Sequence, residues 1–271
     1  MRLHVDHVTR YAFSEPQARL LQLLRMRPCD TDHQTVIDWR FDVDCDARLK
    51  KHEDGFGNEV TMLYADGPIE AIEIHVVGEV LTDDSGGIVE GAAEPFPPEL
   101  FLRTTQRTRA DDALRDFAAE YLSADGDRIE QLHRLNLAIG ERLTLEEPKV
   151  DNHTSAVEAF GSEKATAREM AQIFVAAARS AGVPARYVSG YRSGGDGASR
   201  CAPHGWAEAF VENVGWIGFD PASGISSDER YVRVAVGLDS ADTAPIAGSR
   251  SGSGDEELDV EVQVEAASRN A

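Results

Sequence analysis

The chain has 271 residues, enough for two domains or one large one with a substantial core. Its 48 Asp and Glu against 27 Lys and Arg give a formal charge of -21, which excludes nucleic acid and anionic membrane surfaces as partners because both would be repelled. No apolar run reaches membrane-spanning length and no basic start leads into an apolar stretch, so a cytoplasmic location is expected.

From Arg2 to Thr82 the residues alternate. LHVDHVTRYAF, TVIDWRFDVD, NEVTMLYA and IEAIEIHVVGEVLT each read as a half-buried strand. Turn clusters at Pro28-Cys29-Asp30, Asp54 to Asn58 and Asp66-Gly67-Pro68 separate them, and together they predict an antiparallel β-sandwich over residues 1–90. The segment RLLQLLRMRP fits either a strand or a short helix. His4, His7 and His75 lie on these strands without clustering, the pattern of surface or satisfied core histidines. Asp83 to Pro98 has no periodicity and reads as the connection to a second unit, residues 91–271.

Helical spacing follows at Asp111 to Leu122, Ile129 to Leu143 and, briefly, Ser155 to Phe160. Thr166-Ala167-Arg168-Glu169 has the form of a capping box, so a helix is expected to open at Ala167. Met170, Ile173, Phe174, Ala177, Ala178 and Ala181 form its apolar stripe, and Gly182 and Pro184 end it. Strands are expected at Ala185 to Tyr191, Trp206 to Glu212 and Trp216 to Asp220, with a Gly/Ser-rich loop from Ser193 to Ala202 before His204. The final segment, Leu258 to Glu265, alternates LDVEVQVE and needs a sheet to join. The fold class is therefore α+β. Cys29, Cys45 and Cys201 suggest neither a disulfide framework nor a zinc site, no histidine pair has metal-binding helical spacing, and no metal or cofactor is expected.

A helix N-terminus followed by a strand that opens near a His and another that ends on an Asp is an order suited to nucleophilic catalysis. Aligned amides at a helix start lower a thiol's pKa, an imidazole takes the proton, and a carboxylate orients the imidazole. The phrases PARYVSGY, HGWAE and GFDP resemble those of the bacterial transglutaminase-like superfamily, and LLRMRPCDTDHQTVIDW and DGFGNEV resemble the β-domain that precedes it. The resemblance implies a papain-like helix-against-sheet core, His204 and Asp220 as catalytic residues, and a peptide or protein carrying an amide as partner; Trp206 is expected in the core or as a binding residue on the cleft wall. The resemblance places the family's nucleophilic Cys at Ala167.

Alanine has no nucleophile. Arg168, Glu169 and Gln172 also stand where the family has Gln, Asp and His, so the whole opening motif has changed. Three readings follow: a pseudoenzyme with a retained cleft, an active cysteine amidase, peptidase or acyl transferase carrying an engineered Cys→Ala change, or a non-catalytic peptide- or protein-binding module. A relocated nucleophile at Cys201 is disfavoured, because a thiol on a Gly/Ser-rich loop lacks the fixed orientation that attack requires.

Overall fold

The structure is a computed structural model that describes residues 1–147, 154–194 and 203–266. Its first half is built on two long strands, β1 (Arg2–Leu24) and β4 (Glu59–Thr82), with β2 (Gln34–Val43) and β3 (Ala47–Glu53) between them in sequence. β1 and β4 pair antiparallel from Arg2↔Leu81 to Leu24↔Thr61, with register shifts between Ala12 and Arg19. The break expected at Asp66-Gly67-Pro68 therefore does not reverse the chain, and neither does Pro16. A proline removes one donor from the ladder, but alternation of buried and exposed residues resumes on either side, so each strand continues past an irregularity. RLLQLLRMRP is accordingly strand as far as Leu24.

The second half begins with β5 (Ile88–Val89) and a short 3-10 turn, Pro98–Leu102. Helices α1 (Asp112–Tyr121) and α2 (Arg128–Arg142) follow, each capped by an aspartate, Asp111 or Asp127. Strands β6 (Thr144–Leu145) and β7 (Lys164–Ala165) form a small parallel pair around α3 (Ala156–Phe160), and β7 leads directly into α4 (Ala167–Ser180). Then come β8 (Ala185–Arg192), β9 (His204–Val211), β10 (Gly215–Asp220), β11 (Ile225–Ser226) and β12 (Tyr231–Gly237). These strands make a sheet in the order β11-β10-β9-β8-β12, with β5 joined to β10. The presumed connection is thus partly strand.

Helix α4 lies against β9 and β8 and packs with the other three helices. It is buried on more than its apolar stripe: Glu169, Gln172 and Arg179 are buried as well. Arg179 is accommodated because its guanidinium donates to Ala185 O, Thr108 Oγ1 and Leu238 O, each at 2.9 Å.

The chain then returns to its beginning. β13 (Ile246–Ser251) pairs with Arg19 to Leu24 of β1, and β14 (Glu256–Ala266) with Leu3 to Phe13. β2 and β3 flank the two halves of β4 in the same manner. The expected sandwich therefore takes the form of one six-stranded antiparallel sheet whose halves share β1 and β4, and residues 246–266 are part of it. Leu3, Leu20, Leu63 and Val264 from this sheet share a core with Tyr191, Val232 and Val234 of the second sheet. That shared core brings β14 to the edge of the site.

Candidate functional site

At the start of α4, Glu169 N donates to Thr166 Oγ1 (3.3 Å), and Thr166 N and Oγ1 donate to Glu169 Oε2 (2.7 and 3.0 Å). This capping box fixes Ala167 as the first helical residue. A helix leaves its first amides without intrahelical acceptors, and the box occupies only that of Glu169 and that of Thr166 itself. The partial positive charge of this end thus surrounds Ala167.

His204 opens β9 and Asp220 closes β10, the adjacent antiparallel strand. His204 Nε2 lies 2.8 Å from Asp220 Oδ2. The same oxygen accepts from Tyr231 OH and Ser223 Oγ, both at 2.7 Å, while Oδ1 accepts from Ala222 N at 3.1 Å. Burial alone would raise the Asp220 pKa. Attraction to His204 and the bonds from His204, Tyr231 and Ser223 outweigh burial and hold it at about 2. The carboxylate is therefore ionised at neutral pH and can only accept, so Nε2 carries a proton and Nδ1 is the nitrogen left to act as a base. The imidazole is held between Trp206 (centroids 6.2 Å apart, interplanar angle 25°) and Tyr231 (5.9 Å, 61°).

Ala167 and His204 line one pocket of about 100 Å³. Thr166 and Arg168 share its helix side, Tyr191 and Arg192 come from β8, and Val262 and Val264 reach it from β14. Glu146 and Glu147 stand at its rim after β6. Trp206 is not among the lining residues. It is 1% exposed and packs with Val188, Tyr231 and Val236, so of its two expected places it takes the core, where it supports the imidazole, and it is not a binding residue of this pocket.

The other candidates fall outside this group. Cys201 lies outside the described residues. Burial raises the pKa of Cys29 and of Cys45, the opposite of what a nucleophile needs. His7 is buried with Nδ1 2.9 Å from Tyr191 OH and Nε2 3.2 Å from Thr9 Oγ1, and desolvation, aided by His75, lowers it to about 3. It is a neutral core histidine beneath the pocket wall. Among the described residues no three His, Cys, Asp or Glu side chains are grouped to hold a metal, and no helix is long and apolar enough to cross a membrane.

Residues 3–81 match the bacterial transglutaminase-like N-terminal region, and residues 115–221 match the transglutaminase-like superfamily. The chain has the transglutaminase-like superfamily fold. An uncharacterized protein of Mycobacterium leprae is 28% identical over 97% of this transglutaminase-like chain and 98% of its own length. Another from Mycobacterium tuberculosis is 25% identical over 91% of this chain and 87% of its own. The crystal structure of a candidate cysteine protease from Cytophaga hutchinsonii superposes with a TM-score of 0.78 at 18% identity, covering 98% of this chain and 90% of that one.

Several members of this site escape sequence reasoning. Tyr231 and Ser223 reach Asp220 only through the fold, although their closeness to Asp220 in sequence is a signal. Val262 and Val264 carry none, being at the far end of the chain.

Proposed function

We propose that this protein binds carboxamide-bearing peptide or protein segments in the pocket between α4 and His204, and that Ala167 prevents it from forming an acyl-enzyme. One observation carries this reading: the residue at the first position of α4 lines the same pocket as an imidazole fixed by an ionised, fully buried carboxylate. With a thiol at that position the chemistry would be acyl transfer. Nδ1 of His204 would take the thiol proton and the sulfur would attack the amide carbonyl. The departing amine would take the proton back, and water or another amine would release the acyl group. Alanine supplies no electron pair, so no covalent step begins and binding alone is left.

The surroundings of Ala167 support a site without a thiol. Gln172 Oε1 accepts from Ser240 Oγ at 2.9 Å and its Nε2 donates to Thr154 O at 3.2 Å, while Glu169 closes the capping box. Side chains that depart from the family motif are thus built into the local hydrogen bonding. The four bonds received by Asp220 favour a second reading, an amidase, peptidase or acyl transferase in which alanine replaces the working cysteine.

A glutamine-containing peptide separates the two. Calorimetric titration into the protein should give saturable binding without ammonia release, and a protein that binds none at millimolar peptide contradicts the proposal. In Ala167→Cys, sustained ammonia release would show that the altered surroundings of position 167 still support turnover, which favours the second reading, whereas a reactive thiol without turnover favours the first.

A further inference from the structure

The pocket beside His204 has an apolar side and a cationic side. Tyr191, Val262 and Val264 form the first; Arg168, second residue of α4, and Arg192, last residue of β8, form the second. The chain carries 21 more acidic than basic residues, and Arg186, Arg230 and Arg233 on or beside this sheet each pair with a carboxylate. Yet among the described residues Arg168 makes no ion pair or hydrogen bond, and Arg192 makes no ion pair, its nearest acidic influence being a longer-range attraction to Asp228. The Nε of Arg192 is buried and unpartnered, while its guanidinium sits 5.5 Å from the ring of Tyr231, the tyrosine that donates to Asp220.

The acidic groups at the rim do not fill this role. Glu147 is exposed, and Glu146, half-buried, already has a partner of its own. The positive end of α4 adds to the field on the same side as Arg168. Planar guanidinium groups match carboxylate geometry, and two of them at one pocket favour a ligand anion over a neutral group.

We propose that Arg168 and Arg192 bind a carboxylate of the ligand, so that the pocket selects carboxamide segments that also carry an acidic group. The inference rests on the reading of the pocket as a carboxamide site and names its substrate class. The probe is the thiol of Ala167→Cys, alkylated by iodoacetate, which carries a carboxylate, and by iodoacetamide, which does not. In each reaction the thiolate sulfur displaces iodide at carbon. The ratio of the two rates is measured at the pH of half-ionisation of the thiol and compared with that of glutathione.

The ratio should exceed that of glutathione by about tenfold, equivalent to about 1.4 kcal/mol. It should fall back when Arg168→Gln and Arg192→Gln are added, with His204 and the helix end unchanged. A ratio equal to that of glutathione, or one that survives both arginine substitutions, overturns the proposal. Protection of the thiol from iodoacetamide identifies the source of the carboxylate. N-acetylglutamine with a free α-carboxylate and N-acetylglutaminyl-glutamate with its C-terminus amidated are compared with neutral N-acetylglutamine amide. Stronger protection by either acid supports the proposal, and equal protection by all three overturns it. A thiol of ordinary pKa would contradict the nucleophile position instead, and the iodoacetate ratio would still read the arginines.

Discussion

Replacing Glu208 by Gln perturbs a charge that no water reaches. Its side chain is 0% exposed, its Oε2 lies 2.6 Å from Arg186 Nε and its Oε1 2.8 Å from Arg233 Nε, with those arginine side chains 1% and 17% exposed. Arg186 keeps its two bonds to Glu94, 2.7 and 2.9 Å, and its place over the Trp216 ring, but Arg233 loses its carboxylate. Removing one partner of a buried pair costs about 3–5 kcal/mol. The titration of Glu208 leads to the same magnitude. Burial alone would raise its pKa, whereas Arg233 and Arg186 together hold it at about 2 against an ordinary 4.5. At about 1.4 kcal/mol per pH unit that amounts to about 3 kcal/mol. The sign follows from a folded pKa below the unfolded one: the stabilisation is complete above the ordinary carboxylate pKa and is lost as pH falls from there towards 2. Urea unfolding of the protein and of Glu208→Gln should therefore differ by about 3 kcal/mol at pH 7 and by about 1 kcal/mol at pH 3. A gap below about 1 kcal/mol at pH 7, or one that does not narrow on acidification, refutes the reasoning.

Asp220→Asn, made in the Ala167→Cys background, leaves the four donors to Asp220 facing a neutral amide. It should slow alkylation of the thiol by about a hundredfold at pH 7, and an unchanged rate would show that Asp220 does not orient the imidazole. Asp220 itself, held at about 2 against an ordinary 3.8, adds stability above pH 4 that is lost on acidification, so this variant should also flatten the acid limb of the unfolding curve. Gly205→Ala would drive a methyl into the Tyr187 hydroxyl, between His204 and Trp206. Overpacking of this kind costs about 1–3 kcal/mol, and a thermal midpoint equal to that of the unsubstituted protein would show that Tyr187 can yield.

The parts of the fold that were legible in sequence are those fixed by local chemistry. The capping box of Thr166 and Glu169 gave the first residue of α4, and period-3.6 spacing located α1 and α2 to within a residue or two. His204 and Asp220 were readable as a pair because strand order and motif agreed. What escaped depends on contacts distant in sequence. β3, ARLKKHE, has almost no buried side chain, so it lacks the alternation that marks a strand and is held by pairing with β4 alone. The continuity of β1 through Pro16 is decided by its partners on either side. Val262 and Val264 were recognisable as one face of a strand, but their place on the pocket follows from β14 pairing with β1. Trp206 was legible as core or cleft wall, and sequence could not choose between them because an aromatic beside a catalytic-type His fits a wall and a buttress equally well.

The central claim, that Ala167 occupies a nucleophile position facing His204, is tested most directly by the alkylation rate of Ala167→Cys as a function of pH, with and without His204→Ala. The helix end and an adjacent imidazolium both stabilise a thiolate. The thiol should therefore titrate well below the free-cysteine value of about 8.5 and move back towards it when His204 is removed. A thiol that titrates at or above about 8.5 in both proteins would contradict the claim and leave the fold alone standing.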